Sequence, residues 1–416
     1  MIGRARRFVV RSAFALIATA IAIRSLWSAA DAGTPPASGP VTSPWLDLLT
    51  RWAFRAAVLG ALAGVIGLLV LISGVVPIKA SSGHWAITEA FLQFAKRRSV
   101  STHTLGIDAP GLDDQRLVMM GAGHYDFGCR PCHGSPALRQ PEIAAQMLPK
   151  PPDLRDSVAK YDPAELFYIV KHGVKLTGMP AWPATGRDDE VWAVVAFLRR
   201  LPTLDSREYR ELAGTLRPQQ AAEPLEDLVE PDPPPRVVNE SCSRCHGTDG
   251  MGRGPGAFPR LAGQRPTYVV ATLQAYARGE RHSGIMGPLA AALEPHAMQE
   301  IAKYYATRRA RPSKASPAPA EMENGRIIAM RGLPDRLVPP CTECHGPGPT
   351  RRNEHYPKLA GQYEEYLRQQ LSLFKSGRRG GTPFHHIMHK VASQLTEEQV
   401  RAVAAYYASL PLQRDE

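Results

Sequence analysis

Three short segments of the chain combine two cysteines and a histidine in the pattern Cys-x-x-Cys-His. They occupy residues 129–133, 242–246 and 341–345, and together they use all six cysteines of the sequence. Two thiols at this spacing can each form a thioether with one vinyl group of a single haem. The histidine that follows can then donate a ring nitrogen to the iron. The pattern therefore predicts covalent attachment of three haem c groups.

The residues that would attach and ligate these haems follow from the motifs. The predicted thioether-forming residues are Cys129, Cys132, Cys242, Cys245, Cys341 and Cys344. The predicted proximal iron ligands are His133, His246 and His345. Paired cysteines can also bind zinc, act as a redox dithiol or form disulfides. None of these alternatives explains why a histidine follows every pair.

Each iron has a second axial position, and a methionine thioether there raises the reduction potential. Met179 lies in a Gly-Met-Pro loop, whereas Met286 and Met388 occupy equivalent places in an internal repeat. We predict these three methionines as the distal ligands. Nearby histidines could compete for the iron, and the third site is the most ambiguous. These histidines are His172 near Met179, His282 near Met286, and His385, His386 and His389 around Met388.

The repeat relates two consecutive segments of the C-terminal half. A Leu-Ala-Gly-Gln motif at 261–264 recurs at 359–362, and equal offsets from it reach further identical residues. The matched pairs are Tyr268 and Tyr366, Gly279 and Gly377, Arg281 and Arg379 and, after four extra residues in the later segment, Met286 and Met388. A shared register of this length indicates two copies of one structural unit.

The segments that must position these residues have the sequence patterns of helices. Val191, Val194, Val195 and Leu198 recur at helical spacing, and a possible capping box opens the last helix of the chain at Thr396. No strand alternation is evident.

The sequence divides into eight predicted segments. They are 1–55, a basic segment; 56–78, a transmembrane anchor; 79–105, a juxtamembrane segment; 106–202, domain 1; 203–235, an acidic proline-rich linker; 236–311, domain 2; 312–320, a Pro/Ala linker; and 321–416, domain 3.

Ala56–Ile78 contains no charged residue and as a helix is long enough to cross a bilayer core of about 30 Å. Arg51 and Arg55 precede it, which places its N-terminal end in the cytoplasm. An earlier apolar segment, Ser12–Ile23, resembles a secretory signal. In the systems that this pattern resembles, c-type haem is attached on the outer face of the membrane, so a single crossing at 56–78 is the consistent topology. We therefore expect a single-pass protein of a bacterial inner membrane with periplasmic haem domains.

The net charge of +11 is partly offset by haem propionates, which carry two negative charges per haem. Apart from this charge, nothing in the sequence indicates nucleic-acid recognition. We also expect no small-molecule substrate.

The motifs carry a family resemblance. Residues 106–202, with Cys-x-x-Cys-His, a Gly-Met-Pro loop and a final aromatic-containing helix, resemble class I cytochrome c. Residues 236–416, with two Leu-Ala-Gly-Gln motifs and two Tyr-Tyr-Ala endings, are similar to the tandem dihaem cytochromes c. The resemblance implies an all-α fold of three class I cytochrome c domains behind an N-terminal transmembrane helix. It also implies low-spin haems with His/Met ligation and periplasmic electron transfer.

Three functions are compatible with this pattern. The first is an electron carrier without catalysis of its own, which links quinol–cytochrome c oxidoreductase or a soluble cytochrome to a terminal oxidase. The second is the cytochrome subunit of a periplasmic dehydrogenase. The third is a haem enzyme such as a peroxidase, which needs an iron with an open sixth position. A methionine in every domain argues against the third.

Overall fold

The computed structural model describes residues 44–76, 79–216, 233–254, 256–308, 319–346 and 352–411. The signal-like segment and parts of both predicted linkers lie outside these ranges. The chain divides into two compact units, Met1–Ile78 and Lys79–Glu416.

The described part of the first unit is one helix, Pro44–Ser73. Its portion Leu48–Ser73 has a mean hydropathy of 2.5 and no buried residues, and it is long and apolar enough to cross a membrane. Gly74, at φ 71°, follows the last helical residue and takes a backbone conformation that favours glycine. The anchor predicted at 56–78 overlaps this helix, which begins earlier and ends earlier.

The second unit is all-α, as predicted. In its described residues the only β-type pairings are two isolated bridges, Arg281 with Arg379 and Leu333 with Val338. The helices of domain 1 and the segment before it are Ala86–His103, Gln115–Gly128, Arg130–His133, Glu142–Ala145, Leu154–Ser157, Pro163–His172, Asp188–Arg200 and Ser206–Ala213. Those of domain 2 are Ser243–His246, Pro266–Ala277, Met286–Ala291 and Pro295–Thr307. Those of domain 3 are Pro319–Arg331, Cys341–His345, Glu364–Lys375, His385–Gln394 and Glu397–Ser409.

Domain 1 is built on the crossing of its helices Gln115–Gly128 and Asp188–Arg200. At the crossing point, Gly121 lies so close to the Ala193 carbonyl that a Cβ on it would be 1.9 Å from that oxygen. The apolar stripe predicted on Asp188–Arg200 is buried at this contact. Tyr125 packs against Phe197 with ring centroids 5.2 Å apart. The crossing places the first Cys-x-x-Cys-His motif at the end of Gln115–Gly128.

Domain 1 extends beyond the boundary predicted at 202. The helix Ser206–Ala213 begins at a capping box formed by Asp205 and Glu208 and ends at Gly214. Its Tyr209 is buried, and the hydroxyl donates a hydrogen bond of 2.8 Å to Asp126. The acidic stretch predicted as linker from 203 onward therefore begins as part of domain 1, because the helix turns Tyr209 inward and its charges outward.

Domain 3 repeats the crossing of domain 1. A Cβ on Gly325 would lie 1.9 Å from the Ala402 carbonyl oxygen, in the contact of Pro319–Arg331 with Glu397–Ser409. The predicted capping box is confirmed, since Thr396 accepts a hydrogen bond from the Gln399 amide. In domain 2 the chain leads into the Cys-x-x-Cys-His motif through a π-helical turn, Val238–Cys242, and in this respect it differs from domain 1.

Candidate haem sites

Each predicted proximal histidine is oriented by a proline carbonyl. The ring Nδ1 atoms lie 2.9 Å from the Pro152 oxygen for His133, 3.0 Å from the Pro259 oxygen for His246 and 3.0 Å from the Pro357 oxygen for His345. A carbonyl can only accept, so Nδ1 carries the proton and Nε2 keeps its lone pair for a metal. Burial lowers the pKa of all three imidazoles, to about 4 for His345. The rings are therefore neutral and free to ligate iron.

A tyrosine hydroxyl fixes the turn after each motif. The hydroxyls of Tyr125, Tyr305 and Tyr407 donate hydrogen bonds of 2.8 to 3.0 Å to the carbonyls of Gly134, Gly247 and Gly346, respectively. In domains 2 and 3 the tyrosine comes from the helix nearest the C-terminal end of the domain, whereas in domain 1 it comes from Gln115–Gly128. The same hydrogen bond thus holds all three motifs, although two different elements supply it.

Domains 2 and 3 line most of one cavity of about 970 Å³, and domain 1 adds part of its wall, including His124 and Glu190. Its walls contain the complete predicted ligand sets of the second and third haems, namely Cys242, Cys245, His246, Met286, Cys341, Cys344, His345 and Met388. The residues of the first motif are not among those that line it. The structure therefore brings two of the predicted sites together and keeps the first apart.

The histidines around Met388 differ in their positions. His385 lines the shared cavity together with Met388, and its Nδ1 lies 2.8 Å from the Thr382 carbonyl. His386 and His389 do not line it, and the Nδ1 of His389 lies 2.7 Å from the Phe374 carbonyl oxygen. Among this cluster, the choice of distal ligand thus narrows to Met388 and His385.

Met179 lies half-buried in the loop after helix Pro163–His172, and its amide donates a hydrogen bond of 3.1 Å to the Thr177 hydroxyl. A second methionine accompanies it, because the Cε of Met147 fills the space where a Cβ of Gly178 would stand. The sequence offered no signal for Met147 beyond its residue type.

Two buried arginines face each other across the boundary of domains 2 and 3 in the cavity wall. Arg281, 3% exposed, donates to the Tyr366 hydroxyl at 3.0 Å and to Gln370 at 2.9 Å. Arg379, 7% exposed, donates to Gln370 at 2.8 Å and to the Tyr268 hydroxyl at 2.9 Å. The Nε of Arg379 is buried without a partner. All of these partners are neutral oxygens and none is a carboxylate.

This arrangement leaves positive charge without a described counter-charge. Burial by itself would raise the pKa of Tyr268, but the guanidinium groups of Arg379 and Arg281 lower it to about 8. Burial and repulsion from Arg281 likewise lower the pKa of Arg379. Buried cations are costly unless an anion lies beside them. A haem brings two propionates, so the residues present fit haem, with Arg281 and Arg379 placed to hold propionates.

The repeated Leu-Ala-Gly-Gln motifs form the contact between domains 2 and 3. Gln264 donates to the Lys358 carbonyl at 3.0 Å and accepts from the Lys358 amide at 2.8 Å. Gln362 does the same with Arg260, at 3.0 Å in both directions. Because each glutamine pairs with the backbone of the other repeat, the interface is self-complementary. The motif therefore holds the two halves of the shared cavity together.

Two family descriptions match the chain. The family described as cytochrome C oxidase, cbb3-type, subunit III, matches residues 117–198. The family described as cytochrome c matches residues 235–308 and 337–411. Each of the three matched ranges contains one Cys-x-x-Cys-His motif.

Curated relatives and solved structures resemble part of the chain. A thiosulfate dehydrogenase electron acceptor from Thiomonas intermedia (strain K12) is 37% identical over 182 residues, which are 43% of this chain and 82% of the relative. Cytochrome c4 of Thiocapsa roseopersicina is 32% identical over 193 residues, or 46% of this chain and 97% of the relative. The crystal structure of reduced cytochrome c4 from Pseudomonas stutzeri is 30% identical, covers 42% of this chain and 95% of that one, and has a TM-score of 0.39.

Proposed function

The chain belongs to the cytochrome c family, and from that premise we propose a membrane-anchored trihaem electron carrier of a bacterial respiratory chain. Its haem domains lie in the periplasm, and its electrons pass to a terminal oxidase. The protein performs no bond-making catalysis.

The shared cavity of domains 2 and 3 carries this proposal. When bound, each haem supplies an iron that accepts and releases one electron. The chain holds two such sites in one buried space, each with a neutral histidine and a methionine in its wall. Two strong axial ligands leave little to rearrange when the charge on the iron changes, which suits electron transfer rather than substrate chemistry.

The membrane assignment draws on the first unit. Helix Pro44–Ser73 exposes its apolar side chains along its length, and Arg51 and Arg55 lie near its beginning. Basic residues at that end favour a cytoplasmic N-terminal side. Everything after the helix then lies outside, where c-type haem is attached.

The partner assignment draws on domain 1. Its match to a family named for a subunit of cbb3-type oxidase supports a terminal oxidase as electron acceptor. Quinol–cytochrome c oxidoreductase or a soluble cytochrome would be the donor.

A second candidate is the cytochrome subunit of a periplasmic dehydrogenase. The similarity to an electron acceptor of thiosulfate dehydrogenase favours it, because that relative receives electrons from an enzyme that oxidises a substrate.

The test mixes the reduced, detergent-solubilised full chain with two sets of membranes in a stopped-flow spectrometer. One set contains terminal oxidase and the other comes from an oxidase-deficient strain. We expect rapid reoxidation, sensitive to cyanide, with the first set only. Equal reoxidation rates would overturn the oxidase assignment. Copurification with a dehydrogenase, with reduction of the haems by that enzyme's substrate, would establish the second candidate instead.

A further inference from the structure

A carboxylate of domain 1 reaches into domain 2 beside the proposed ligand of the second haem. Glu190 belongs to helix Asp188–Arg200 and is only 3% exposed. The Ser283 hydroxyl donates to its Oε1 at 2.7 Å, and the Gly284 amide donates to its Oε2 at 2.7 Å. Ser283 and Gly284 immediately precede Ile285 and Met286.

The hydrogen bonds continue from Glu190 to the backbone of Met286. The Ser283 hydroxyl uses its single proton toward Glu190, and its lone pairs accept from the Met286 amide at 3.1 Å and the Ile285 amide at 3.4 Å. Because the carboxylate fixes the hydroxyl and the hydroxyl fixes the amide, Glu190 determines where helix Met286–Ala291 begins.

Two other side chains of domain 1, those of Trp182 and Arg187, also contact the loop at residues 282–284. The Trp182 indole donates to Glu190 Oε2 at 3.0 Å, and its ring lies against Gly284, where a Cβ would be only 2.4 Å from ring atoms. Arg187 pairs with Glu190 at 2.9 Å and also donates to the His282 carbonyl. Three hydrogen bonds and a close ring contact from domain 1 thus hold residues 282–284, and the ion pair between Arg187 and Glu190 lies beside them.

Domain 1 also contacts the opposite side of the second site, where its thioether cysteine lies. A Cβ on Gly123 would lie 3.5 Å from the Cys245 Sγ and 3.0 Å from the Phe258 ring. Three residues further along, Asp126 forms an ion pair with Arg244 at 2.9 Å. Domain 1 therefore contacts both the cysteine and the methionine side of a haem site in another domain.

We propose that Glu190 is a positioning residue for the second haem. By holding the loop that presents Met286, it couples the docking of domain 1 to the ligation and potential of that haem. This proposal rests on the proposed ligation by Met286. A thioether binds oxidised iron more weakly than reduced iron, so the constraint matters most in the oxidised protein.

The experiment uses the full-length holoprotein with the substitutions Glu190→Ala, Glu190→Gln and Ser283→Ala. The readouts are the sulfur-to-iron charge-transfer band of the oxidised protein and a spectroscopic redox titration. We expect Glu190→Ala to remove up to about a third of the band, the share of one of three His/Met haems, and to lower one midpoint potential. Glu190→Gln keeps an acceptor oxygen for only one of the two loop donors, Ser283 and Gly284, and should retain part of the band.

Asp188→Asn is the matched control. It removes the same charge from the same helix, but Asp188 pairs with Lys171 at 2.8 Å inside domain 1. Its band and potentials should equal those of the wild type.

Three outcomes would overturn the proposal. The first is a Glu190→Ala protein with a full band and unchanged potentials. The second is a loss of unfolding free energy without spectral change, which would make Glu190 merely structural. If Glu190→Ala yields no holoprotein, Ser283→Ala decides, because it removes a single hydroxyl, and an unchanged band there is the third. A Met286→Ala protein with an unaltered band would instead show that the ligand assignment is at fault.

Discussion

Replacing Gly121 with alanine should separate the two helices that cross behind the first haem motif. The new Cβ would lie 1.9 Å from the Ala193 carbonyl oxygen, 2.6 Å from its carbon and 2.8 Å from the Phe197 Cβ. Non-bonded carbon atoms pack at about 3.5–4.0 Å, so the helices must move apart by about 1 Å. Both obstacles nearest to the new methyl group are backbone atoms of a packed helix, which cannot rotate away.

The loss of unfolding free energy can be estimated from the buried contact. Overpacking a core in this way costs about 1–3 kcal/mol and occasionally more, while replacing glycine inside a helix returns about 1 kcal/mol. Since Val194 and Phe197 are fully buried at this crossing, the upper end of the overpacking cost applies, and we expect the unfolding free energy of domain 1 to fall by about 2 kcal/mol. Gly128→Ala, in the same helix with nothing within 4 Å of its Cβ, should leave stability unchanged or slightly raised.

The assay is native-state amide exchange of helix Gln115–Gly128 in the holoprotein, which isolates domain 1 from the rest of the chain. Gly325→Ala provides an independent trial in domain 3, because its Cβ would meet the Ala402 carbonyl oxygen at the same 1.9 Å. Protection in Gly121→Ala equal to that in Gly128→Ala would refute the close helix crossing.

Three further predictions concern single side chains. Met388→Ala should remove about a third of the charge-transfer band, whereas His385→Ala should leave it intact, and the reverse pattern would identify His385 as the ligand. Arg379→Gln should lower at least one haem potential in a redox titration, because less positive charge near the propionates stabilises oxidised iron, and Arg379→Lys should recover part of the shift. Burial lowers the pKa of His124, so the folded state binds fewer protons than the unfolded chain, and stability should fall as the pH drops below about 6.5. Denaturant unfolding at several pH values should show a weaker pH dependence for His124→Phe.

The predictions for the second and third sites rest on local patterns. The shared register of Met286 and Met388 needs only sequence offsets, and both residues line the cavity with their own cysteine pairs. The same register marked Arg281 and Arg379 as equivalent. It did not reveal that they meet, because their contact depends on how one repeat turns against the other.

Contacts between domains could not be read from spacing. Glu190 lies on a helix whose apolar stripe was predicted, yet its partner Ser283 is 93 residues away in sequence and belongs to no repeated motif shared with domain 1. The proline carbonyls that accept hydrogen bonds from the proximal histidines likewise could not be predicted from residue spacing alone. Pro259 and Pro357 each lie two residues before a Leu-Ala-Gly-Gln motif and are equivalent in the repeat, whereas Pro152 precedes no such motif.

The extent of domain 1 illustrates how composition can mislead. The stretch after Leu204 reads as an acidic linker, but Tyr209 and Ala213 face inward at helical spacing. The other residues of this short helix are mostly charged or polar, so its composition resembles that of a linker although one face is buried.

The central claim is that this chain carries three haems ligated by histidine and methionine, and it can be measured directly. Haem content per chain and the intensity of the sulfur-to-iron charge-transfer band should be determined on the same oxidised sample, followed by a redox titration. We expect three covalent haems per chain, a band of equal intensity per haem and three high-potential reduction steps. Fewer haems, or a full haem complement without the band, would contradict it.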